Sequence, residues 1–222
     1  MLSEAVQDYL KVIYKLQERA GAVSTSALAE AMEVTAASVT GMMKRLASLK
    51  LVRHSPYQGV VLSKAGQKMA LEIIRHHRLL ELYLAEALGY SWDKVHQEAE
   101  RLEHVISEEF EEKIFEALGR PTRDPHGDPI PAKDGTVVAG DHERLSDLEP
   151  GAKGVIRQVC DSDAEMLRYL GTRGLVPDTP LEVLDKAPFN GPLTVRTRRT
   201  SHVLGRELAT HIWVEAAPGR TL

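Results

Sequence analysis

The first seventy residues combine segments of helical periodicity with short β-prone runs. From Glu4 to Arg19 the apolar residues recur every three or four positions, which predicts an amphipathic helix. Ser24 or Thr25, and later Thr35, are residue types that cap helices, and each precedes another helical segment. The stretch LVRHSPYQGVVLSKAGQ then has two β-prone runs around a turn, which predicts a hairpin. The order helix, helix, helix, hairpin is typical of a winged helix-turn-helix.

The second helix of this helix-turn-helix, which follows Thr35, is predicted to contact DNA. Its predicted inner face is apolar and consists of Val34, Val39, Met43 and Leu46. Small polar and basic side chains, which suit contacts with phosphates and base edges, are left outside. The candidate DNA-contacting residues are Thr35, Ala36, Ala37, Ser38, Thr40, Gly41, Lys44 and Arg45, with Tyr57 in the hairpin turn. A helical hairpin without DNA is the alternative, and the order of elements favours DNA binding.

Two longer helices are predicted in the middle of the chain, one over residues 68–89 and one from about Trp92 to Leu118. The first is more apolar than one side of a small domain can cover, and its surplus includes Ile73, Leu80, Leu84 and Leu88. We expect a homodimer interface, because pairing two copies would bury this surplus.

Potential metal ligands recur on these two helices. Within one continuous helix, offsets of four, seven and eight residues fall in an arc of about 100°. The residues at those offsets are His96, Glu100, Glu103 and His104. His77 and Glu81 are four apart on the preceding helix. Residues 71–119 hold twelve acidic against five basic residues, a charge that a bound cation would offset. The alternative is a solvated acidic face with incidental histidines.

The donor types indicate which metals such a cluster would hold. Imidazole and carboxylate without thiolate suit Mn²⁺, Fe²⁺, Co²⁺ or Zn²⁺, and the high share of carboxylates favours Mn²⁺ or Fe²⁺. Asp8 on the first helix is a further carboxylate. If it joins the cluster, metal binding would tie the DNA-reading segment to the dimer segment. Otherwise Asp8 is a capping or solvated residue.

After residue 120 the helical periodicity ends, and the chain becomes rich in turns and short β-prone runs. Residues 121–144 are rich in proline and glycine and are predicted to be a linker. Residues 145–222 alternate short strands and turns around one short helix at 164–170, which predicts a small SH3-like β-barrel. The predicted organisation is therefore a winged helix-turn-helix over residues 1–72, a helical metal-binding and dimerisation domain over 73–120, the linker, and the SH3-like domain. The fold class is mainly α with a β C-terminal domain.

Composition excludes several classes of protein. With 43% hydrophobic and 27% charged residues and a net charge of −4, the chain is typical of globular proteins. No apolar run reaches the length of a membrane span and no secretory signal is recognisable, so a cytoplasmic protein without membrane association is expected. The single Cys160 excludes an internal disulfide and a multi-thiolate zinc site. No nucleophile or nucleotide motif is present, and the Glu-x-x-His pairs of helical di-metal oxidases are missing, so an enzyme is not expected.

These motifs together resemble the metal-dependent repressors related to the diphtheria toxin repressor and the manganese transport regulator. The resemblance is carried by DYLKVIYKLQE, VTAASVTGMMKRLASLKLV, LSKAGQKMALEIIRHHRLLEL, DKVHQEAERLEHVIS and DPHGDPIP. It implies a metal site formed by Asp8, Glu100, Glu103 and His104, with His77 nearby. It implies a second site formed by His77, Glu81 and His96, completed from the C-terminal domain by Glu165 or Asp163.

The departures from the iron-type pattern bear on the metal. Asp8 and Glu100 stand where iron-type members have sulfur ligands, and hard oxygen donors favour Mn²⁺. Lys11 stands where the manganese-type members with a two-metal cluster have glutamate. The resemblance implies a homodimeric repressor of metal-uptake genes, activated by Mn²⁺ or alternatively Fe²⁺, with two metal sites per subunit. Its partner would be double-stranded operator DNA with paired half-sites. A regulator that senses a non-metal ligand is a further alternative, and a helical metalloenzyme a weaker one.

Overall fold

The computed structural model describes residues 2–55, 59–138, 140–198 and 200–217. The chain divides into two compact units. The first comprises Met1–His77, Glu100–Glu112 and Pro131–Val137, and the second comprises Arg78–Ala99, Lys113–Ile130 and Val138–Leu222. Among the described residues, no helix has both the length and the apolar content needed to cross a membrane.

The first unit begins with the predicted winged helix-turn-helix. Its elements are α1 (Glu4–Ala20), α2 (Thr25–Ala31), α3 (Ala36–Ser48), β1 (Val52–Ser55) and β2 (Gly59–Leu62). The predicted caps form, because the Ser24 hydroxyl accepts the Ala27 N–H at 3.1 Å and the Thr35 hydroxyl accepts the Ser38 N–H at 3.2 Å. β1 and β2 pair antiparallel as the hairpin. Tyr57, the DNA-contact candidate in the turn, lies outside the described residues.

One hydrophobic core holds these elements together, with Leu10 of α1, Leu28 of α2 and Val39, Met43 and Leu46 of α3 buried in it. The prediction for α3 was wrong at one position, since Val34 is 38% exposed. The Thr35 cap starts the helix at Ala36, so Val34 lies in the preceding turn, where its N–H bonds to the Ala29 carbonyl. The inner face of α3 therefore begins at Val39.

Three further helices follow: α4 (Lys64–Glu86), α5 (Val95–Leu102) and α6 (Glu108–Ala117). The single helix predicted from Trp92 to Leu118 was wrong, because residues 103–107 are not helical. Ser107 begins a new helix, since its hydroxyl accepts the Phe110 N–H at 3.2 Å. Acidic residues in the first turn of α6 reinforce that start. The ligand spacing of one continuous helix therefore does not hold beyond Leu102.

The apolar surplus that predicted a dimer is largely covered within one chain. Ile73, Leu80 and Leu84 are buried, and Leu88 is 55% exposed. The pattern on α4 therefore does not by itself require a second copy.

The second unit contains a six-stranded antiparallel sheet in the order β3-β8-β4-β5-β6-β7, which agrees with the SH3-like prediction. The strands are β3 (Glu143–Arg144), β4 (Lys153–Val159), β5 (Pro180–Lys186), β6 (Leu193–Thr197), β7 (Thr200–Leu204) and β8 (Ile212–Ala216). The register shifts between Ile156 and Gln158 in β4 and between Val183 and Asp185 in β5, as at β-bulges. The helices α7 (Ala164–Thr172) and α8 (Arg206–Ala209) belong to the same unit.

The segment predicted as a linker is more ordered than a spacer. Over its described residues it has no helix or strand before β3, as expected. Asp124, His126 and Ile130 are nevertheless buried. The backbone of His126 also accepts the Val159 N–H at 2.9 Å, so this segment extends the bonding of β4.

Candidate metal centres and DNA-binding surface

The first cluster, in the first unit, is organised around the buried carboxylate of Glu103. Lys11 donates to its Oε1 at 2.5 Å, and His77 Nδ1 lies 2.5 Å from its Oε2. The Lys11 ammonium also contacts Glu100 Oε1 at 2.7 Å, and that oxygen lies 4.0 Å from His77 Nδ1. Two groups of potential metal ligands share Glu103, and within each group the ligand atoms lie within 4.8 Å of one another. One group is His77, Glu100 and Glu103, and the other is Asp8, Glu103 and His104. The structure brings together all five residues proposed for the first site.

The break between α5 and α6 places His104 against α1. His104 Nδ1 lies 2.6 Å from the Gln7 side-chain oxygen, which can only accept a hydrogen bond, so the proton of a neutral imidazole is on Nδ1. The lone pair of Nε2 then lies 3.0 Å from Asp8 Oδ1 and 3.5 Å from Glu103 Oε1. Asp8 Oδ1 is buried and has no hydrogen-bond partner among the described residues. Three acceptors that face one another in this way need a proton or a cation between them.

His76 supports the same break from the other side. Its Nδ1 lies 3.2 Å from the backbone carbonyl of Glu103, which the end of α5 leaves without a helical partner. Its Nε2 lies 3.1 Å from Glu111 Oε2, and Arg75 donates to Glu111 Oε1 at 2.5 Å. Arg75 also donates to the Pro131 carbonyl at 2.8 Å. This buried network holds the backbone from which Glu103 and His104 project.

The charges of the first cluster perturb its pKa values in opposite directions. Burial alone would raise the pKa of Glu103, but hydrogen bonding to His77 and the charges of His77 and Lys11 hold it below its ordinary value. Burial raises the pKa of Asp8, only partly offset by His104 and Lys11. Burial would lower the pKa of Lys11, and Glu103 and Glu100 outweigh it and raise that pKa. Glu103 is therefore the anionic centre of the cluster.

The second cluster, in the second unit, joins Glu81 of α4 to the segment that precedes the sheet. Glu81, Asp124 and His126 are all buried, with donor atoms within 4.8 Å of one another. Beside them, His96 Nδ1 lies 3.1 Å from Glu81 Oε1 and 3.4 Å from Asp161 Oδ2. The proposed residues Glu81 and His96 are thus together.

The two residues proposed from the C-terminal domain have other surroundings. Asp163 caps α7, where its Oδ1 accepts the N–H groups of Glu165 and Met166. The side chain of Glu165 is 91% exposed and lies 3.9 Å from Arg168. Asp161, two residues before the cap, is the carboxylate that reaches His96. The structure therefore places Asp161 where the resemblance implied Asp163 or Glu165.

His126 is oriented as a metal ligand would be. Its Nε2 lies 2.8 Å from the Trp92 carbonyl, which only accepts, so Nε2 carries the proton and Nδ1 has a lone pair. Nδ1 is buried, lies 3.9 Å from Glu81 Oε2 and has no hydrogen-bond partner among the described residues. Gly127 sets the turn, because it has φ of +91° and a Cβ there would lie 1.8 Å from the Arg157 carbonyl. This glycine lets the His126 backbone approach β4.

Both clusters fit a divalent cation by their donor sets. Each combines carboxylate and imidazole groups. Each also contains at least one buried potential ligand atom that lacks a hydrogen-bond partner among the described residues. These atoms are Asp8 Oδ1 in the first cluster, and Asp124 Oδ2 and His126 Nδ1 in the second. Burial raises the pKa of Asp124 well above its ordinary value, and the charges of Asp128 and Glu81 add to that effect. A bound cation would remove this cost.

Sequence reasoning missed Asp124, His126 and Asp161 as candidate ligands. Asp124 and His126 belong to the stretch DPHGDPIP, which looked like a linker because proline and glycine dominate it. The Asp-x-His spacing beside a glycine was the available signal. Asp161 had none, because one carboxylate in a run of polar residues is not distinctive.

We expect Asp124→Asn to have opposite effects on stability and metal binding. The amide keeps an acceptor for the His126 and Asp128 N–H groups, which Asp124 Oδ1 accepts at 2.8 and 2.9 Å. It removes an acid from beside Glu81 and Asp128, whose repulsion outweighs the loss of the 3.7 Å ion pair with Arg78. Thermal unfolding of the metal-free variant should occur at an equal or higher temperature than wild type. Its Mn²⁺ affinity at the second cluster, followed by Trp92 fluorescence in a Trp213→Phe background, should fall about 10–100-fold. Unchanged affinity would remove Asp124 from the ligand set.

The outer face of α3 has the exposure that DNA contact requires. Thr35, Ser38, Thr40, Lys44 and Arg45 are exposed. The predicted contacts Ala36, Ala37 and Gly41 are exposed as well. A Cβ built on Gly41 meets no atom within 4 Å, so packing within the chain does not require glycine there.

A DNA-reading head whose first helix contributes to a carboxylate-imidazole cluster defines a metal-dependent DNA-binding protein. Comparison with known proteins supports this class. Residues 1–60 match the iron dependent repressor N-terminal DNA binding domain, residues 63–132 match the iron dependent repressor metal binding and dimerisation domain, and residues 143–216 match the FeoA domain.

Individual relatives agree over most of their length. The chain is 30% identical to the diphtheria toxin repressor of Corynebacterium efficiens over 195 residues, which cover 83% of this chain and 85% of that protein. It is 29% identical to the iron-dependent repressor IdeR of Mycobacterium leprae, with 96% and 98% covered. A solved manganese-dependent transcriptional repressor in complex with manganese is 40% identical, with a TM-score of 0.89 over 96% of this chain and 100% of that one. The chain belongs to the iron-dependent repressor family of metal-dependent transcriptional repressors. The members to which it is similar are DNA-binding repressors and not enzymes.

Proposed function

We propose that the protein is a manganese-activated repressor in which the first cluster is the activating site. The observation that carries this proposal is that Asp8 of the DNA-reading head, Glu103 and His104 present donor atoms within 4.8 Å of one another. The set has two oxygen donors and one nitrogen donor and no sulfur, which favours Mn²⁺ over softer ions. The manganese-dependent repressor that is 40% identical supports the same metal.

The residues of the first cluster would have different roles in metal binding. Asp8, Glu103 and His104 would hold the ion, while Gln7 keeps the His104 lone pair directed at it. The ion supplies positive charge between acceptors that otherwise repel one another. Holding that charge would join α1 to the segment after α5, so the ion favours the conformation in which α1 is docked. If that conformation binds DNA best, metal and DNA strengthen each other's binding reciprocally.

The second cluster would be a further metal site, held by Glu81, Asp124 and His126 with His96 and Asp161 beside them. Its burial supports a structural ion, and so do Asp124 Oδ2 and His126 Nδ1, which have no hydrogen-bond partner in the part of the chain that the structure describes. Two sites per subunit would result.

An iron-responsive repressor of the same build is the second candidate. It is favoured by the 29% identity to iron-dependent repressors over almost the whole chain. The donor set argues against it, because Asp8 and Glu100 provide oxygen where the resemblance implies sulfur in iron-type proteins.

For DNA, we propose a homodimer that reads two half-sites of a double-stranded operator with paired α3 helices. The match of residues 63–132 to a dimerisation domain supports the pairing. Operators of metal-uptake genes are the proposed targets, because a repressor that metal activates would switch off further uptake.

The test is binding of metal-stripped protein to operator-type DNA, titrated separately with Mn²⁺, with Fe²⁺ under anaerobic conditions, and with Zn²⁺. Activation at lower free Mn²⁺ than free Fe²⁺ is expected. An equal or better response to Fe²⁺ would favour the iron-responsive alternative. DNA affinity that no metal changes would refute metal activation.

Gly41→Ala should separate folding from DNA recognition. Because Gly41 is helical, exposed and surrounded by open space, alanine should stabilise α3 by about 0.5–1 kcal/mol in urea unfolding. If α3 approaches DNA closely at Gly41, the added methyl group should weaken operator binding about ten-fold. Ser48→Ala, at the far end of α3, is the matched control and should leave DNA affinity unchanged. Undiminished binding by Gly41→Ala would place the contact elsewhere on α3.

A further inference from the structure

We propose that the Lys11 ammonium is a built-in cation that limits the first cluster to one divalent metal ion. This inference rests on the proposed function of that cluster. Lys11 is a buried lysine of α1, and its Nζ contacts Glu100 Oε1 at 2.7 Å and Glu103 Oε1 at 2.5 Å. It therefore contacts both carboxylates of the donor group formed by His77, Glu100 and Glu103.

The cluster contains two groups of donors that share one residue. Glu103 belongs both to the group with Asp8 and His104 and to the group with His77 and Glu100. Two groups of this kind have enough donors for two ions. The ammonium lies on the carboxylates of the second group, whereas the first group has the buried Asp8 oxygen without a hydrogen-bond partner among the described residues. Lys11 thus contacts both carboxylates of the second group, whereas in the first group it contacts only the shared Glu103.

Charge balance explains the limit. The carboxylates of Asp8, Glu100 and Glu103 carry three negative charges, and histidines that bind a metal are neutral. Lys11 and one divalent ion supply three positive charges, which makes the cluster neutral. A second divalent ion would leave two uncompensated positive charges in a largely buried site, which is strongly unfavourable. Glutamate at position 11 would instead provide four negative charges, which two divalent ions balance.

The experiment counts Mn²⁺ at the first cluster of the full-length chain, in a background where Asp124→Asn and His126→Asn disable the second. Equilibrium dialysis gives the number of ions and their affinity, and electron paramagnetic resonance distinguishes isolated from spin-coupled Mn²⁺. We expect one isolated ion with Lys11 present. Lys11→Glu should bind two ions with a coupled spectrum. Lys11→Met, which removes the competing cation, should bind its first ion about ten-fold or more tightly.

Lys15→Glu is the matched control, because it makes the same charge change one turn further along α1 and should still bind one ion. Two ions bound with Lys11 in place would overturn the inference and leave the proposed function intact. So would a Lys11→Met variant, folded by circular dichroism, whose first-ion affinity is unchanged. No Mn²⁺ bound in the background that retains Lys11 would refute the activating site itself, and this inference with it.

Discussion

Replacing Glu103 with alanine should abolish the metal-dependent part of DNA binding. Glu103 is the residue shared by both donor groups of the first cluster, and its carboxylate receives Lys11 and His77 at 2.5 Å each. Loss of a supporting residue around a metal typically weakens metal affinity 10–100-fold, and loss of a shared ligand should cost at least about 100-fold. The variant should bind operator DNA with the affinity of metal-stripped wild type at any Mn²⁺ concentration that wild type needs for activation.

Two comparisons make this result interpretable. Glu103→Gln keeps the side-chain volume and removes only the charge, so it should also lose activation if charge is what the metal requires. Glu109→Ala removes an exposed carboxylate from the neighbouring helix α6 and should respond to Mn²⁺ like wild type. Sedimentation should show that all three variants keep the oligomeric state of wild type. A normal Mn²⁺ response in Glu103→Ala would show that activation does not depend on this cluster.

The second large effect concerns stability and comes from Glu111. This buried carboxylate receives Arg75 at 2.5 Å and lies 3.1 Å from His76. Glu111→Gln removes the buried carboxylate that pairs with the Arg75 guanidinium and with His76, which should lower the free energy of unfolding of metal-free protein by about 3–5 kcal/mol. Urea unfolding followed by circular dichroism measures it. Glu112→Gln, whose side chain pairs with Lys133 at the surface, should change stability little.

The effect of Glu111 should also depend on pH. Burial would raise the pKa of Glu111, but hydrogen bonds from His76 and Arg75 lower it to about 2 from an ordinary 4.5. A lowered carboxyl pKa contributes stability that is complete above 4.5 and is lost as the pH falls toward 2. The pKa of His76 is raised from 6.5, because its hydrogen bond to Glu111 outweighs burial. The stability that His76 contributes is therefore complete below pH 6.5 and is lost as the pH rises above its pKa in the folded protein.

The difference in unfolding free energy between wild type and Glu111→Gln should therefore be largest between about pH 4.5 and 6.5. This difference should nearly vanish near pH 2. Above neutrality it should decline only partly, because the ion pair between Arg75 and Glu111 persists there. A difference independent of pH would show that Glu111 acts through packing and not through its charge.

The local elements of the protein could be predicted where short-range chemistry determines them. Ser24 and Thr35 set the starts of α2 and α3 through hydrogen bonds that span three residues. Alternating apolar residues and turns indicated the C-terminal sheet in the same way. The prediction of a single helix across Glu103 was wrong because it followed the apolar periodicity and gave too little weight to the helix cap at Ser107.

The candidate metal ligands also separate into those that local sequence signals indicated and those that only tertiary contacts revealed. Glu100, Glu103 and His104 could be proposed from sequence because residue types, predicted helical spacing and a family resemblance agreed. Asp8 was assigned to the site only by the resemblance, and the carboxylate-rich donor set favoured Mn²⁺. The helical spacing extends only as far as Leu102. His104 reaches α1 because the chain leaves the helix there.

Sequence by itself thus determined the order of elements, the helix-turn-helix and its exposed face, and most residues of the first cluster. Only the tertiary structure revealed the contacts of Lys11 with Glu100 and Glu103, the buried pair Asp124 and His126, and Asp161 beside His96. The physical reason is that hydrogen bonds and periodicity act between neighbours along the chain. Burial and charge depend on which distant segments meet, and the Asp-x-His spacing in a linker-like stretch does not indicate that its carboxylate will be enclosed among other acids.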